Sequence, residues 1–311
     1  MKSAKIPLTK EERRLRRAER RAKQRLANAG RALKMRAARL AFEKLRHRAP
    51  APPAPVPRTN IGCSGWFYWH WRDRFYSAGS STSEWFAHYA WHFDTVELNA
   101  PFYSWPTVAN VQSWVRQARG KRFIYTVKVC ELITHVKKFV RTTVLVKDFY
   151  FIEQLLRPHM GCFLFQLPRS FHFTAARLKR IVNQLDPTRR NVVEFRHKSW
   201  WNSRVFRAFK KANIIFCSCS GPRLPDELVK TSDEIYVRFH GTKRWYRHDY
   251  AKDELAVWAK RIRECKPRRV WAYFNNDADG HAITNARELI RQLSKFGTGV
   301  SSSGSARRRY V

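Results

Sequence analysis

Six short apolar runs in this chain turn polar at their last residues. They close on Glu97-Leu98-Asn99, Lys128, Gln166-Leu167-Pro168, Glu194-Phe195-Arg196-His197, Arg238-Phe239-His240-Gly241 and Asn275-Asn276-Asp277. These residue types hold ligands and move protons. Glu97 and Glu194 suit general acid or base work, because burial raises the pKa of a carboxyl group. Lys128, Arg196 and Arg238 suit an anionic group, the arginines through a planar two-pronged fork. His240, just ahead of Gly241, suits proton relay or phosphate binding. The predicted catalytic set is therefore Glu97, Glu194 and His240. Asn99, Tyr103, His135, Gln166, His197, Asn275, Asn276 and Asp277 join Lys128, Arg196 and Arg238 as predicted ligand contacts.

Structural roles compete with these. Glu194 and Arg196 alternate with Phe195, so they share a strand face and can simply pair. Asn275 and Asn276 can cap a helix or shape a turn. Glu97, Glu194, His240 and Asp277 offer donors to Mn²⁺, Mg²⁺ or Zn²⁺. Their spacing matches no zinc pattern, so a divalent metal is open and not specified. Ser64-Gly65-Trp66 makes no nucleophile elbow, and Cys63 has no activating base beside it in sequence.

Eight apolar runs must position these groups: Ile61–Trp66, Thr95–Asn99, Phe123–Val129, Cys162–Leu167, Val192–Arg196, Ile214–Ser218, Glu234–Phe239 and Val270–Phe274. They are rich in Val, Ile, Phe and Tyr and too short for helices. Helical patterns lie between them, around Ser83–His92, Val108–Arg119, Leu145–Arg157, Thr174–Leu185, Ser203–Ala212, Asp253–Cys265 and Asn285–Lys295. The connection from Gly221 to Ser232 is short and gives no clear helix. Such alternation predicts parallel strands with right-handed crossovers. Eight units in about 240 residues predict an α/β protein, a (β/α)8 TIM-type barrel, with its site at the strand C-termini. An open doubly wound sheet is the competing fold. It usually carries a Gly-rich phosphate loop after its first strand, and Cys63-Ser64-Gly65-Trp66 is not one.

The barrel is expected over residues 58–296. Residues 1–48 form a basic helical or disordered extension, 49–57 a Pro-rich linker and 297–311 a disordered basic tail. The formal charge is +38, and 18 Lys or Arg against 4 Asp or Glu lie in residues 1–57. Thr9 followed by Glu12 reads as a capping box that starts a helix. Leu15, Ala18, Ala22, Leu26, Ala29 and Leu33 suggest a thin apolar stripe. So basic a helix repels itself and is expected to be marginal until it meets a polyanion. The globular part is basic too, which predicts a polyanion partner: DNA, RNA or a phosphorylated substrate. No apolar stretch is long enough for a transmembrane segment, and no pattern fixes an oligomeric state. The six cysteines make no Cys-x-x-Cys pair, which predicts a reducing, intracellular and most simply cytoplasmic setting. The basic N-terminus keeps nuclear or organellar targeting open.

Motifs running in order over about 230 residues resemble the domain-of-unknown-function 72 family, also called YecE-like. They are Gly62-Cys63-Ser64-Gly65-Trp66; Thr95-Val96-Glu97-Leu98-Asn99 with Phe102-Tyr103; Val127-Lys128 with Thr134-His135; Gln166-Leu167-Pro168; Glu194-Phe195-Arg196-His197 with Ser199-Trp200; Arg238-Phe239-His240-Gly241; and Tyr273-Phe274-Asn275-Asn276-Asp277. Cys63 and Pro101 depart from the usual residues without removing a rim residue. The resemblance implies a TIM-type barrel and no established reaction. The expected function is an enzyme acting on a phosphorylated or nucleic-acid-related ligand by hydrolytic or acid/base chemistry. The alternative is a non-catalytic nucleic-acid-binding protein using its basic surface and N-terminal arm.

Overall fold

All eight apolar runs form strands, because β-branched and aromatic residues pack well when both faces of a sheet are covered. The computed structural model describes residues 9–45 and 56–294. The strands are β1 (Thr59–Cys63), β2 (Thr95–Leu98), β3 (Ile124–Lys128), β4 (Met160–Gln166), β5 (Asn191–Glu194), β6 (Ile215–Ser220), β7 (Glu234–Phe239) and β8 (Arg269–Phe274). Each pairs parallel with its neighbours, and β1 pairs with β8. The result is a nearly closed barrel.

The seam between β1 and β2 is bridged by a side chain. The Tyr89 hydroxyl accepts from the Cys63 amide at 2.8 Å and donates to the Thr95 carbonyl at 3.0 Å. Gly62 permits this approach: a Cβ there would stand 2.3 Å from the Thr95 carbonyl oxygen. Tyr89 comes from α2 (Trp85–His92). The other helices are α1 (Lys10–Lys44), α3 (Ala100–Tyr103), α4 (Val108–Ala118), α5 (Thr143–Leu156), α6 (Ala175–Val182), α7 (Ser203–Lys211), α8 (Lys252–Glu264) and α9 (His281–Ser294). No helix joins β6 to β7. Instead the connecting loop lies on β6, with the Val229 amide on Ser218 Oγ at 2.9 Å and the Phe216 amide on Thr231 Oγ1 at 2.9 Å. The last helix starts a turn earlier than its pattern suggested, right after Gly280.

Two apolar clusters hold the barrel. A large one packs helices on strands, and a smaller one, including Leu164, Val192, Tyr236, Trp271 and Tyr273, fills the interior. The inward residues of β7 follow period two. Glu234 lies at the bottom, Tyr236 in the middle and Arg238 at the top. At the bottom Glu234 accepts from Trp271 Nε1 at 2.8 Å and Arg190 Nε at 3.2 Å, and from Arg269.

The N-terminal segment corrects an expectation. Its capping box at Thr9 is present and α1 runs 35 residues, but the stripe is phased differently. Leu15, Leu26 and Leu33 are exposed, while Asn28, Ala32, Met35 and Arg39 are buried. That face lies on α5 and the rim. Arg39 Nε meets Asp148 at 3.0 Å, Phe42 packs on Phe151, and Asn28 holds the Tyr103 carbonyl and the Trp105 amide at 3.0 and 2.9 Å. The docked stripe was hard to see because two of its members, Asn28 and Arg39, are polar and are satisfied by the barrel. N-terminal to Asn28 the helix is almost wholly exposed. At 1.5 Å per residue this stretch, residues 10–27, is about 27 Å long. The linker positions 49–55 and the tail 297–311 lie outside the described residues. Among the described residues no helix is long and apolar enough to cross a membrane.

Candidate functional site

The C-termini of the strands carry two layers. The lower layer is a buried ionic network. Glu97, from β2, accepts from Ser64 Oγ at 2.7 Å, Arg238 Nη2 at 2.5 Å and the Tyr236 hydroxyl at 2.5 Å. Glu194, from β5, accepts from Arg238 Nη1 at 2.6 Å and from Arg196 Nε, and lies 3.3 Å from His240 Nε2. Arg238 therefore ties the two carboxylates together across the barrel axis. All three side chains are fully buried.

Such a network sets its own charge states. Burial pushes the Glu194 carboxyl up, but the Arg196 and Arg238 guanidiniums with His240 outweigh it and hold it well below the ordinary range. Burial, then the same two arginines, push His240 well below its usual value, so it is a neutral imidazole. Its Nε2 lies between Glu194 Oε1 at 3.3 Å and Arg196 Nη2 at 3.1 Å, and its Nδ1 lies 3.3 Å from Asn275 Nδ2. Asn275 is thereby oriented from below.

The upper layer is a cavity of about 780 Å³ above the network. It is lined by aromatic rings, Trp66, Tyr68, Tyr103, Trp114 and Tyr246, and by polar groups, Asn99, Lys128, Arg196 and Asn275. The turn that follows β1 adds Ser64 and Gly65 to its lining. Arg196 stacks 4.5 Å from the Trp245 ring centroid, and its Nη2 lies 3.1 Å from His240. Lys128 Nζ sits 4.1 Å from the Phe102 ring centroid. It makes no ion pair or hydrogen bond among the described residues. Burial, and then Arg238, push its ammonium down to about 7, with Glu194 and Glu97 offsetting only part.

Of the residues singled out by sequence, Asn99, Tyr103, Lys128, Arg196 and Asn275 line the cavity, and Glu97, Glu194, Arg238 and His240 form the layer beneath. Gln166 and His135 stand beside it, 3.4 Å apart. The remaining three turn elsewhere. His197 caps the short turn at Lys198–Trp200 and stacks on His172. Asn276 donates to the His248 carbonyl and to Asn285 at 2.8 and 2.6 Å. Asp277 takes Trp71 Nε1 at 2.6 Å and His70 at 2.9 Å, and its burial raises it to about 6.

The four proposed metal donors do not converge. Asp277 is committed to the first loop, and Arg238 stands between Glu97 and Glu194. Among the described residues, the His, Cys, Asp and Glu side chains that do converge are Glu194, Cys217 and Cys219, and that carboxylate is already held by two arginines. Sequence reasoning missed Ser64 and Tyr236 as partners of Glu97. Period two counted back from Arg238 points to Tyr236 on the same face.

By its fold the chain is a TIM-type barrel with a cavity at its C-terminal rim. It belongs to the family described as Protein of unknown function DUF72, whose profile matches residues 60–308. UPF0759 protein YunF of Bacillus subtilis (strain 168) is 26% identical over 269 residues, which is 75% of this chain and 94% of that protein. The crystal structure of a DUF72 family protein from Thermotoga maritima superposes with a TM-score of 0.69 at 24% identity, over 76% of this chain and 100% of that one. One from Enterococcus faecalis gives 0.65 at 18% identity, over 76% and 95%. These likenesses show the shared barrel. Helix α1 precedes the matched region.

Proposed function

We propose that the cavity binds a small ligand that pairs an anionic group with a planar ring, and that the protein is an acid/base or hydrolytic enzyme acting on a phosphorylated or nucleic-acid-related substrate. Charge balance carries this reading. Two buried carboxylates, Glu97 and Glu194, already match two guanidiniums, Arg196 and Arg238. The Lys128 ammonium is surplus. A ligand anion at the polar groups supplies the missing charge, and a ring fits among the aromatic side chains that line the same cavity. Glu97, Glu194 and His240 act from beneath, by fixing Arg196 and Asn275, while Lys128 is the proton-exchanging group that reaches the ligand. Calorimetric titration with a nucleoside monophosphate tests this. The wild type should bind, and Arg196→Gln should bind at least tenfold more weakly. No binding by the wild type, or equal binding by both, would sink it.

A second reading rests on α1. Its exposed N-terminal half carries Arg13, Arg14, Arg17, Arg20, Arg21 and Arg25 along one side. We propose that it tracks a nucleic-acid backbone. Oligonucleotide affinity should fall steeply with salt and drop most on deletion of residues 1–27. A shallow salt slope or unchanged affinity in the deletion would count against it.

A further inference from the structure

Among the described residues Lys128 is the buried lysine, with only 7% of its surface exposed, and that part faces the cavity. It ends β3, so the strand fixes its backbone. Phe102 lies under its ammonium, and the short helix α3 that carries Phe102 is pinned from outside by Asn28 of α1. Its ionic neighbours are Arg196 and Arg238 as well as Glu194 and Glu97, and both carboxylates are already bonded to guanidiniums. An amine buried over an aromatic ring and beside other cations gives up its proton easily. Desolvation and a neighbouring cation are the two ways a lysine becomes a nucleophile near neutral pH. The value of about 7 agrees with that placement.

We propose that Lys128 Nζ forms a Schiff base with an aldehyde or ketone group of the anionic ligand held in the mouth. This rests on the cavity reading above and names the ligand's reactive group. The neutral amine's lone pair adds to the carbonyl carbon, and the carbonyl π pair moves to oxygen. The two amine hydrogens leave with that oxygen as water, and the C=N bond forms. No oxidant, reductant or further reactant is needed, and the open mouth releases the water. Arg196 and Asn275 line the same cavity as Lys128 and hold the ligand's anionic group.

The test uses the full chain and pyridoxal 5′-phosphate, a probe with a ring, a phosphate and an aldehyde. The mixture is reduced with borohydride at pH 7, and the labelled lysine is mapped by mass spectrometry. Lys128 should be labelled at least tenfold faster than exposed lysines such as Lys230. Excess inorganic phosphate should slow Lys128 labelling selectively, a readout that needs no variant. Lys128→Arg keeps the charge and should lose that adduct. Label spread over surface lysines with Lys128 untouched overturns the proposal. If a nucleoside monophosphate still binds in that case, the cavity reading stands and only the imine falls. If neither binds nor labels, both fall.

Discussion

Strand β7 places a charged side chain near each end of the barrel axis, and the two ends differ in how their charges are spent. At the bottom, Glu234 meets Arg190, Arg269 and Trp271, and Arg268 at 3.6 Å. One carboxylate there is surrounded by more cations than it needs, but Arg190 and Arg268 reach water, which solvates the excess. At the top, Arg238 serves two carboxylates in full burial, and the extra cation, Lys128, has no carboxylate bonded to it and only 7% of its surface exposed, facing the cavity. The bottom is a plug; the top holds an unspent charge beneath a cavity. Similar residue types thus make a seal where solvent completes them and a binding surface where it does not.

The comparison can be broken by substitution. Arg238→Met would leave buried Glu97 without a cation and Glu194 with Arg196 alone, and should cost about 3–5 kcal/mol, read by urea denaturation. A loss below 1 kcal/mol would mean that the upper network is not a buried tie. Glu234→Ala should cost less, about 1–2 kcal/mol, because two of its freed guanidiniums are hydrated. Ligand binding at the top should be unchanged by it, and a matching loss of affinity would show the ends to be coupled. Lys128→Met should raise stability at pH 6 by about 1 kcal/mol, since it removes an unpaired buried ammonium.

The pH dependence has a definite sign. A lysine whose folded pKa is depressed to about 7 binds fewer protons folded than unfolded above that pH. Its contribution therefore makes stability rise from about pH 7 toward the unfolded lysine range. Lys128→Met should remove this rise, and an identical slope in both proteins would place Lys128 in solvent. Asp277, raised to about 6, acts oppositely: its contribution makes stability fall between the unfolded aspartate range and about pH 6.

The barrel was legible because parallel strands buried on both faces leave continuous apolar runs, and their polar ends mark one rim. The rim was legible as a set and less so in its roles. Glu194 next but one to Arg196 foretold their pairing through strand parity. The Arg238 tie to Glu97 joins residues 141 positions apart, and no local pattern encodes it. His197, Asn276 and Asp277 belong to the same motifs yet turn to neighbouring loops, because leaving a strand end frees the direction of each side chain. The docked face of α1 was hidden for a related reason: its polar members find partners only on the barrel.

The surplus charge of Lys128 is the centre of this account, and proton uptake on ligand binding tests it most directly. A nucleoside monophosphate is titrated calorimetrically at pH 8 in buffers of different ionisation enthalpy, with wild type and Lys128→Met. Uptake should approach one proton per ligand bound by the wild type and be absent in the variant. Binding without proton uptake, or with the same uptake in both proteins, would contradict it.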